Sequence, residues 1–324
     1  MSAFLTSMTP AFLASALTMA YPVPFGQPVA PESLPTPAGE IVDIDQDRAK
    51  RMTVPVSIEG NGPFSFVIDT GAERTVISRK VADNLALEGE EPAQLMSIAG
   101  ISMVDMVYVP RLTLGQKNYD GLVSPVLAAQ HIGADGILGL DGLQDQRILF
   151  DFVTSQIIIE DADEARNRPP SREIVVTAKR RSGQLIFTDA TIAGIEVNVI
   201  IDTGAEMSIG NSALQKRMQK RAKELGDDNL LIAVTGETLG VEFGRLREFR
   251  IGRARFANLL VAFADAPPFK RFGLANKPTL LMGMDMLRKF DQVAIDFPNR
   301  KIHFLTPRNA PLYTSDSIGT RIKF

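Results

Sequence analysis

Two identical pentapeptides hold the residues best suited to chemistry in this chain. The sequence Asp-Thr-Gly-Ala-Glu occurs at residues 69–73 and again at residues 202–206, and each copy follows an apolar run. An aspartate on a sharp turn after a buried strand is a carboxylate held rigidly at the edge of a core. Two carboxyl groups about 3 Å apart cannot both ionise, so they share one proton and can together add water to an amide. Asp69 and Asp202 are therefore the candidate catalytic pair.

The other residues of the two loops have predicted supporting roles. We expect the threonine hydroxyls to bond to the backbone of the opposite loop and so to lock both loops together. The glycines permit a tight turn and a close approach of the backbone to a carboxylate. The supporting residues are Thr70, Gly71, Ala72, Thr203, Gly204 and Ala205.

Further repeats indicate that the pentapeptide belongs to a duplicated domain. Residues 137–143 (ILGLDGL) are echoed by residues 281–287 (LMGMDML), and residues 148–152 (ILFDF) by residues 293–297 (VAIDF). The blocks keep one order in both halves, which is the signature of an internal duplication. The first pair of blocks is expected to pass beneath the loops as buried packing, with glycine giving clearance.

Short apolar runs punctuated by Gly and Pro predict β-rich lobes, with each candidate aspartate just past the second strand of a hairpin. One helix is predicted at residues 212–226, with Ser212 as its cap. Residues 161–172 are charged, contain two prolines and lack apolar periodicity, so they are the predicted linker. The predicted lobes are therefore residues 41–160 and 173–324.

Two more hairpins are candidates for flaps over the carboxylates, since water must be excluded during the reaction. In the first half, apolar segments flank Gly100, which is the candidate tip. In the second half, Gly236 lies between comparable segments. The alternative for each is an ordinary surface hairpin.

The composition excludes several other kinds of site. The formal net charge is −3 with both signs mixed, which gives no electrostatic footprint for nucleic acid. Cysteine is absent, so thiol nucleophiles, disulfides and sulfur-ligated metals are excluded. The only histidines are His131 and His303, too few for the usual zinc or iron sites without carboxylate ligands, and neither is placed like a catalytic base. We predict no cofactor, no metal and no nucleic-acid partner.

The N-terminus has the pattern of an export signal. Residues 1–20 are mildly apolar, too short to span a bilayer stably, and end in Thr18-Met19-Ala20, which suits signal peptidase. No Lys or Arg precedes the apolar stretch, so a disordered start is the alternative. Residues 21–40 are rich in proline and are the predicted spacer. We expect an exported protein, periplasmic or secreted, without stable membrane insertion.

These motifs resemble those of the retropepsin-like aspartic proteases. The resemblance lies in both loops, in Val76-Ile77 and Ser208-Ile209 after them, and in the later apolar-apolar-Gly segments. Because both copies lie on one chain behind a predicted signal, the chain is most similar to exported bacterial members in which two retropepsin-like lobes are fused. The resemblance implies an all-β acid protease fold with short helices and two pseudo-symmetric β-barrel-like lobes. It also implies an aspartic endopeptidase that acts on an extended polypeptide.

The chain departs from the family pattern behind the site. Viral relatives usually have Asp after the Ala and an Arg just past the later Gly, and these two form an ion pair. Here Glu73 and Glu206 occupy the first position, while Leu140 and Met284 occupy the second. That ion pair cannot form, so the glutamates must find other partners or face water.

The alanines predict a higher pH optimum than that of pepsin. Many pepsin-like enzymes have Ser or Thr after Asp-Thr-Gly, and its hydroxyl can stabilise the ionised carboxylate. Ala72 and Ala205 cannot donate that bond. We predict an optimum between about pH 4.5 and 6.5, and an optimum near about pH 2 would contradict the reasoning.

Two other interpretations stay open from the sequence. The chain could be a catalytically silent peptide-binding or scaffold protein that retains the fold, although neither aspartate is lost. Two chains could also pair lobe to lobe, as separate retropepsin subunits must. Two lobes on one chain favour a protein that is active as a monomer.

Overall fold

The computed structural model describes residues 40–43, 45–46, 52–161, 172–218, 229–307 and 314–315. The predicted export signal lies outside these residues. So do the predicted spacer apart from Glu40, the interior of the predicted linker, and the predicted helix beyond Met218.

The described chain consists mainly of β-strands. The strands of the first half are β1 Glu40–Asp43, β2 Asp45–Gln46, β3 Met52–Ile58, β4 Asn61–Ile68, β5 Val76–Ser78, β6 Gly89–Met96, β7 Ile101–Leu114, β8 Lys117–Leu127, β9 Gly136–Leu138, β10 Gln146–Asp151 and β11 Gln156–Asp161. Those of the second half are β12 Glu173–Thr177, β13 Lys179–Arg181, β14 Gln184–Ile192, β15 Ile195–Ile201, β16 Ile209–Gly210, β17 Asn229–Ile232, β18 Thr238–Leu246, β19 Phe249–Ile251, β20 Ala254–Ala257, β21 Leu259–Phe263, β22 Thr279–Met282, β23 Gln292–Asp296, β24 Lys301–Leu305 and β25 Thr314–Ser315. The helices are short: α1 Arg79–Asn84, α2 Ala129–Ile132, α3 Leu140–Leu143, α4 Ser212–Met218, α5 Pro267–Arg271 and α6 Met284–Leu287.

The first lobe is a closed barrel. Its strands are hydrogen-bonded in the order β2-β3-β4-β9-β5-β8-β7-β6, and a further pairing of β3 with β7 closes six of them into a ring. Along β3, Val54 and Val56 are buried and Pro55 is exposed, because successive side chains of a strand point to opposite faces. The interior of the barrel is therefore an apolar core.

The second lobe repeats this arrangement with interruptions. Its strand order is β17-β18-β21-β16-β22-β15-β14-β19-β20-β25, with β13 beside β14. Strand β14 pairs with β19 as β3 pairs with β7. Residues 247–248 separate β18 from β19, and Asn258, with a φ of +59°, separates β20 from β21. The long strands of the first barrel are thus broken in the second, which is more open.

A six-stranded sheet joins the two lobes. Its order is β1-β11-β10-β23-β24-β12, with three strands from each half. The repeated blocks at residues 148–152 and 293–297 lie largely in β10 and β23. These two strands are antiparallel, with Ile148 opposite Ile295 and Phe150 opposite Val293. All four side chains are buried, so removal of apolar surface from water holds the lobes together.

The structure confirms the predicted all-β fold with short helices and two barrel-like lobes. One local prediction is wrong. Helix α4 begins at Ser212, and its cap is Asn211, whose side-chain oxygen accepts the N–H of Leu214 at 3.0 Å. Among the described residues, no helix is both long enough and apolar enough to cross a bilayer.

Candidate active site

Each candidate aspartate follows the last residue of a strand that lies beside a parallel neighbour. Strand β4 pairs with β9, and β15 pairs with β22. The N–H of Asp69 donates to the carbonyl of Leu138 at 3.0 Å, and the N–H of Asp202 donates to that of Met282 at 3.0 Å. The parallel pairing thus continues one residue past each strand and fixes the backbone of each aspartate.

Backbone N–H groups hold one oxygen of each carboxyl group. Gly71 and Ala72 donate to Oδ1 of Asp69 at 2.7 and 3.1 Å. Gly204 and Ala205 donate to Oδ1 of Asp202 at 3.1 and 3.0 Å. Because two backbone N–H groups fix one oxygen of each carboxyl group, the direction of the other oxygen is also fixed.

The two threonines lock the loops to each other. The N–H of Thr70 donates to Oγ1 of Thr203 at 3.0 Å, and the N–H of Thr203 donates to Oγ1 of Thr70 at 3.2 Å. Each hydroxyl then donates to the carbonyl that precedes the opposite aspartate: Thr70 to Ile201 at 3.0 Å and Thr203 to Ile68 at 2.8 Å. The structure therefore forms the crossed bonds predicted from the sequence, and all of them are buried.

The loops bring the two carboxyl groups together. A Cβ added at Gly71 would lie 2.7 Å from Cγ of Asp202, and one added at Gly204 would lie 2.2 Å from Cγ of Asp69. Each carboxyl group thus rests over the glycine of the opposite loop, where any side chain would displace it. Asp202 is 8% exposed, whereas Asp69 is half-buried.

The surroundings favour a proton on this pair. Burial raises the pKa of Asp202 well above its usual value, and the negative charge of Asp69 and a hydrogen bond with it raise that pKa further. The N–H groups of Ala205 and Gly204 act in the opposite direction, because they stabilise the charged form. The outcome is a carboxyl group that stays protonated where an ordinary aspartate is ionised.

The apolar-apolar-Gly blocks lie directly beneath the loops, as predicted. Leu140 donates its N–H to the carbonyl of Ala72 at 2.9 Å, and Met284 donates to that of Ala205 at 2.9 Å. A Cβ added at Gly139 would lie 2.4 Å from the backbone of Arg74. Glycine is required there because two backbone segments are in contact.

Two further aspartates, which lie outside the repeated pentapeptides, brace the loops. Asp141 accepts the N–H of Thr75 at 2.9 Å and its hydroxyl at 2.7 Å. Asp285 accepts the hydroxyl of Ser208 at 2.6 Å. Burial raises the pKa of Asp285, although the bonds from Ser208 lower it. A signal for this pair was present, since both aspartates occupy the same position in the repeated blocks.

Both predicted flaps are hairpins, and the structure places each candidate glycine in the turn. Strands β6 and β7 are joined by residues 97–100, where the N–H of Ser97 donates to the carbonyl of Gly100 at 2.8 Å. Strands β17 and β18 are joined by residues 233–237, where Gly236 has a φ of +87°, a conformation that suits glycine. The pseudo-symmetry of the lobes therefore extends to the flaps.

The two flaps bond to each other. The hydroxyl of Ser102, just after the first turn, donates to Oε1 of Glu237 in the second turn at 2.7 Å. The hydroxyl of Thr235 donates to Oγ of Ser97 at 3.4 Å. The turns of the two hairpins are therefore joined by side-chain hydrogen bonds.

Each flap tip also packs against the opposite lobe. Val234 of the second flap lies against a first-lobe cluster that includes Val76 and Ile137, and Ile98 of the first flap lies against a second-lobe cluster that includes Leu281. Val76 and Ile137 lie in β5 and β9, next to the Asp69 loop, and Leu281 is the first residue of the apolar-apolar-Gly block of the other lobe. Apolar surface therefore lies on both sides of the carboxyl pair.

The two repeated glutamates have different surroundings. Glu73 forms an ion pair with Nη2 of Arg271 from α5, at 2.6 and 2.7 Å to its two carboxylate oxygens. Glu206 is exposed. Leu140 and Met284 are apolar and buried, so neither side chain can form the viral type of ion pair with a glutamate. Within the parts of the chain that are described, no three His, Cys, Asp or Glu side chains are grouped so that they could hold a metal ion.

Comparison with known families gives two matches. A sequence profile described as Aspartyl protease matches residues 54–141 and residues 188–286, which together are more than half of the chain. Each match contains one candidate aspartate and the later apolar-apolar-Gly block. No curated protein matches the chain. The two matches fall in the two lobes, which agrees with a duplicated domain.

Proposed function

The chain belongs to the aspartyl protease family, and we propose that it is an active endopeptidase that cleaves extended polypeptides with Asp69 and Asp202. The supporting observation is the paired carboxyl groups, hydrogen-bonded to each other, with the pKa of Asp202 raised. A scaffold protein needs no shared proton, and retaining one costs stability at neutral pH. A catalytic role therefore explains the paired carboxyl groups better than peptide binding alone.

The reaction uses the pair as base and acid together. The charged carboxylate takes a proton from a water molecule while the oxygen of that water attacks the peptide carbonyl carbon. At the same time the protonated carboxyl group donates its proton to the carbonyl oxygen. The carboxyl group that now carries the proton gives it to the amide nitrogen, while the other carboxylate takes a hydroxyl proton from the tetrahedral intermediate. The C–N bond then breaks, a carboxylic acid and an amine leave, and the dyad again holds one proton. Because the proton belongs to the dyad, neither role is assigned to Asp69 or Asp202 alone.

The expected substrate is an extended polypeptide with apolar side chains at the cut bond. An extended peptide lying between the loops and the flaps can bond through its main chain as an added strand. The partly buried Ala72 and Ala205, which pack on the clusters that include Ile137 and Leu281, support a preference for apolar side chains on both sides of the cut bond. The flaps must separate to admit the peptide and close to exclude water, so the bond between Ser102 and Glu237 must break during each cycle.

We also propose that one chain suffices for activity and that the protein is exported. Both carboxyl groups come from one chain, which supports a self-sufficient monomer. Export is supported by the apolar residues 1–20 and the small residues at their end. Specific activity that is independent of protein concentration would support the monomer. N-terminal sequencing of the mature protein tests the export signal.

The test is peptide cleavage by the full chain and by matched variants. Wild-type protein, Asp69→Asn, Asp202→Asn and the exposed control Asp189→Asn are incubated with a diverse peptide library at acidic to neutral pH. We expect each dyad variant to lose on the order of 10⁴-fold in kcat, and the control to retain activity. Cleavage that survives in both dyad variants, or no cleavage by wild-type protein together with unchanged peptide binding, would contradict the proposal.

A further inference from the structure

An ion pair joins the two lobes beside one of the dyad loops. Glu73 directly follows the first loop, and Arg271 reaches it from α5 in the second lobe, with both oxygens of the carboxylate within 2.7 Å of Nη2. The side chains of Arg271 and Glu73 are 41% and 44% exposed, so this pair between the lobes lies at the protein surface. This carboxylate is occupied by the protein's own cation.

Glu206 is the counterpart of Glu73 in the second lobe. Each glutamate follows an alanine whose carbonyl accepts an N–H from the block beneath, that of Leu140 in one lobe and of Met284 in the other, both at 2.9 Å. The two glutamates therefore occupy equivalent positions along the backbone of the two lobes. Yet the carboxylate of Glu206 is exposed, and no cation among the described residues pairs with it.

Arg271 belongs to α5, and the counterpart of α5 in the first lobe is α2. Helices α2 and α5 each follow a strand that is parallel to the strand after the dyad loop. Each is followed by a glycine with positive φ, Gly133 at +80° and Gly273 at +67°. Two residues before that glycine stands Arg271 in α5 but His131 in α2. The position of α2 that matches Arg271 thus holds an imidazole and no guanidinium.

His131 has contacts of its own. Its Nε2 lies 3.3 Å from the amide nitrogen of Gln130. A Cβ added at Gly236 would lie 2.7 Å from the same Nε2, so the ring packs against the turn of the second flap. The imidazole therefore supports the flap instead of reaching across the groove to a carboxylate.

We propose that Glu206 is a specificity-determining residue that binds a cationic side chain, Lys or Arg, of the substrate, whereas Arg271 keeps Glu73 from doing the same at the other end of the groove. The proposal rests on the proposed peptidase function. A pseudo-twofold groove would otherwise accept a peptide in either direction equally well. One occupied and one open carboxylate make its two ends chemically different, so the charge of the peptide selects its direction.

The test scans charge along the substrate. Peptides with an apolar pair at the cut bond carry Lys, Gln or Glu at one position at a time on either side, and kcat and KM are measured with wild-type protein. We expect one position, on one side only, where Lys exceeds Gln by roughly three- to tenfold in kcat/KM, mainly through KM. Glu at that position should be the poorest, and the preference should weaken as salt is added.

Three variants distinguish the residues. Glu206→Gln should lower kcat/KM for the Lys peptide to the level of the Gln peptide, whereas the exposed control Glu196→Gln should retain the Lys preference. Arg271→Met frees Glu73 and should create a second Lys preference at the related position on the opposite side of the cut bond. A Lys preference that survives Glu206→Gln, or wild-type cleavage with no charge preference at any position, would overturn the inference while the peptidase function stands. Absence of all cleavage would instead count against the proposed function.

Discussion

Replacing Thr203 with valine tests whether the crossed threonine bonds hold the site together. Thr203 is 2% exposed, accepts the N–H of Thr70 at 3.0 Å and donates to the carbonyl of Ile68 at 2.8 Å. Valine has nearly the same shape but leaves both backbone groups buried without this partner. At about 1–3 kcal/mol for each of these two unsatisfied groups, the variant should lose roughly 2–6 kcal/mol of unfolding free energy.

Thr203→Ser is the matched variant, because it keeps the hydroxyl and loses only a methyl group, worth about 1 kcal/mol. The chain has no tryptophan, so urea unfolding is best followed by far-ultraviolet circular dichroism. In the same samples, kcat should fall about 100-fold for valine, because the loops no longer hold the carboxyl groups in place, and should stay near wild type for serine. Equal unfolding midpoints for the valine and serine variants would refute the reasoning.

Three more variants probe the dyad and its lid. Burial and the charge of Asp69 raise the folded-state pKa of Asp202, so the folded state loses stability as pH rises above the unfolded value of about 3.9. Asp202→Asn should therefore unfold at higher urea than wild type at pH 7, and the gain should shrink toward about pH 4; a gain of the same size at both pH values would contradict this. Gly204→Ala places a methyl group 2.2 Å from Cγ of Asp69 and should abolish cleavage with the fold retained by circular dichroism; full activity would mean that the carboxyl groups are not held so closely. Ile98→Ala removes apolar contact between the first flap and the second lobe and should raise KM more than it lowers kcat, which steady-state kinetics can distinguish from the reverse.

The sequence is sufficient to predict the parts of the site that depend on local spacing. Asp69 and Asp202, their threonines and their glycines lie within repeated pentapeptides, and the chemistry of each residue type indicates its role. The turns at Gly100 and Gly236 could be predicted for the same reason, since glycine between apolar segments favours a hairpin turn.

Contacts between distant segments could not be predicted in this way. Arg271 lies 198 positions from Glu73, and nothing in the local sequence of α5 connects the two. The contact of His131 with the turn at Gly236 likewise depends on how the lobes pack. The bracing by Asp141 was detectable as a repeated position, but its partner could be identified only once the loop geometry was known.

The shared proton is tested most directly by titrating the aspartate carboxyl groups. In the full chain labelled with ¹³C at the aspartate carboxyls, nuclear magnetic resonance follows each group with pH, and the signal lost in Asp202→Asn identifies Asp202. We predict that this group titrates well above the usual value of about 3.9, and that Asp69→Asn lowers its pKa without restoring the usual value, since burial is the larger cause. Titration of Asp202 near about 3.9 in the wild-type protein would contradict the account.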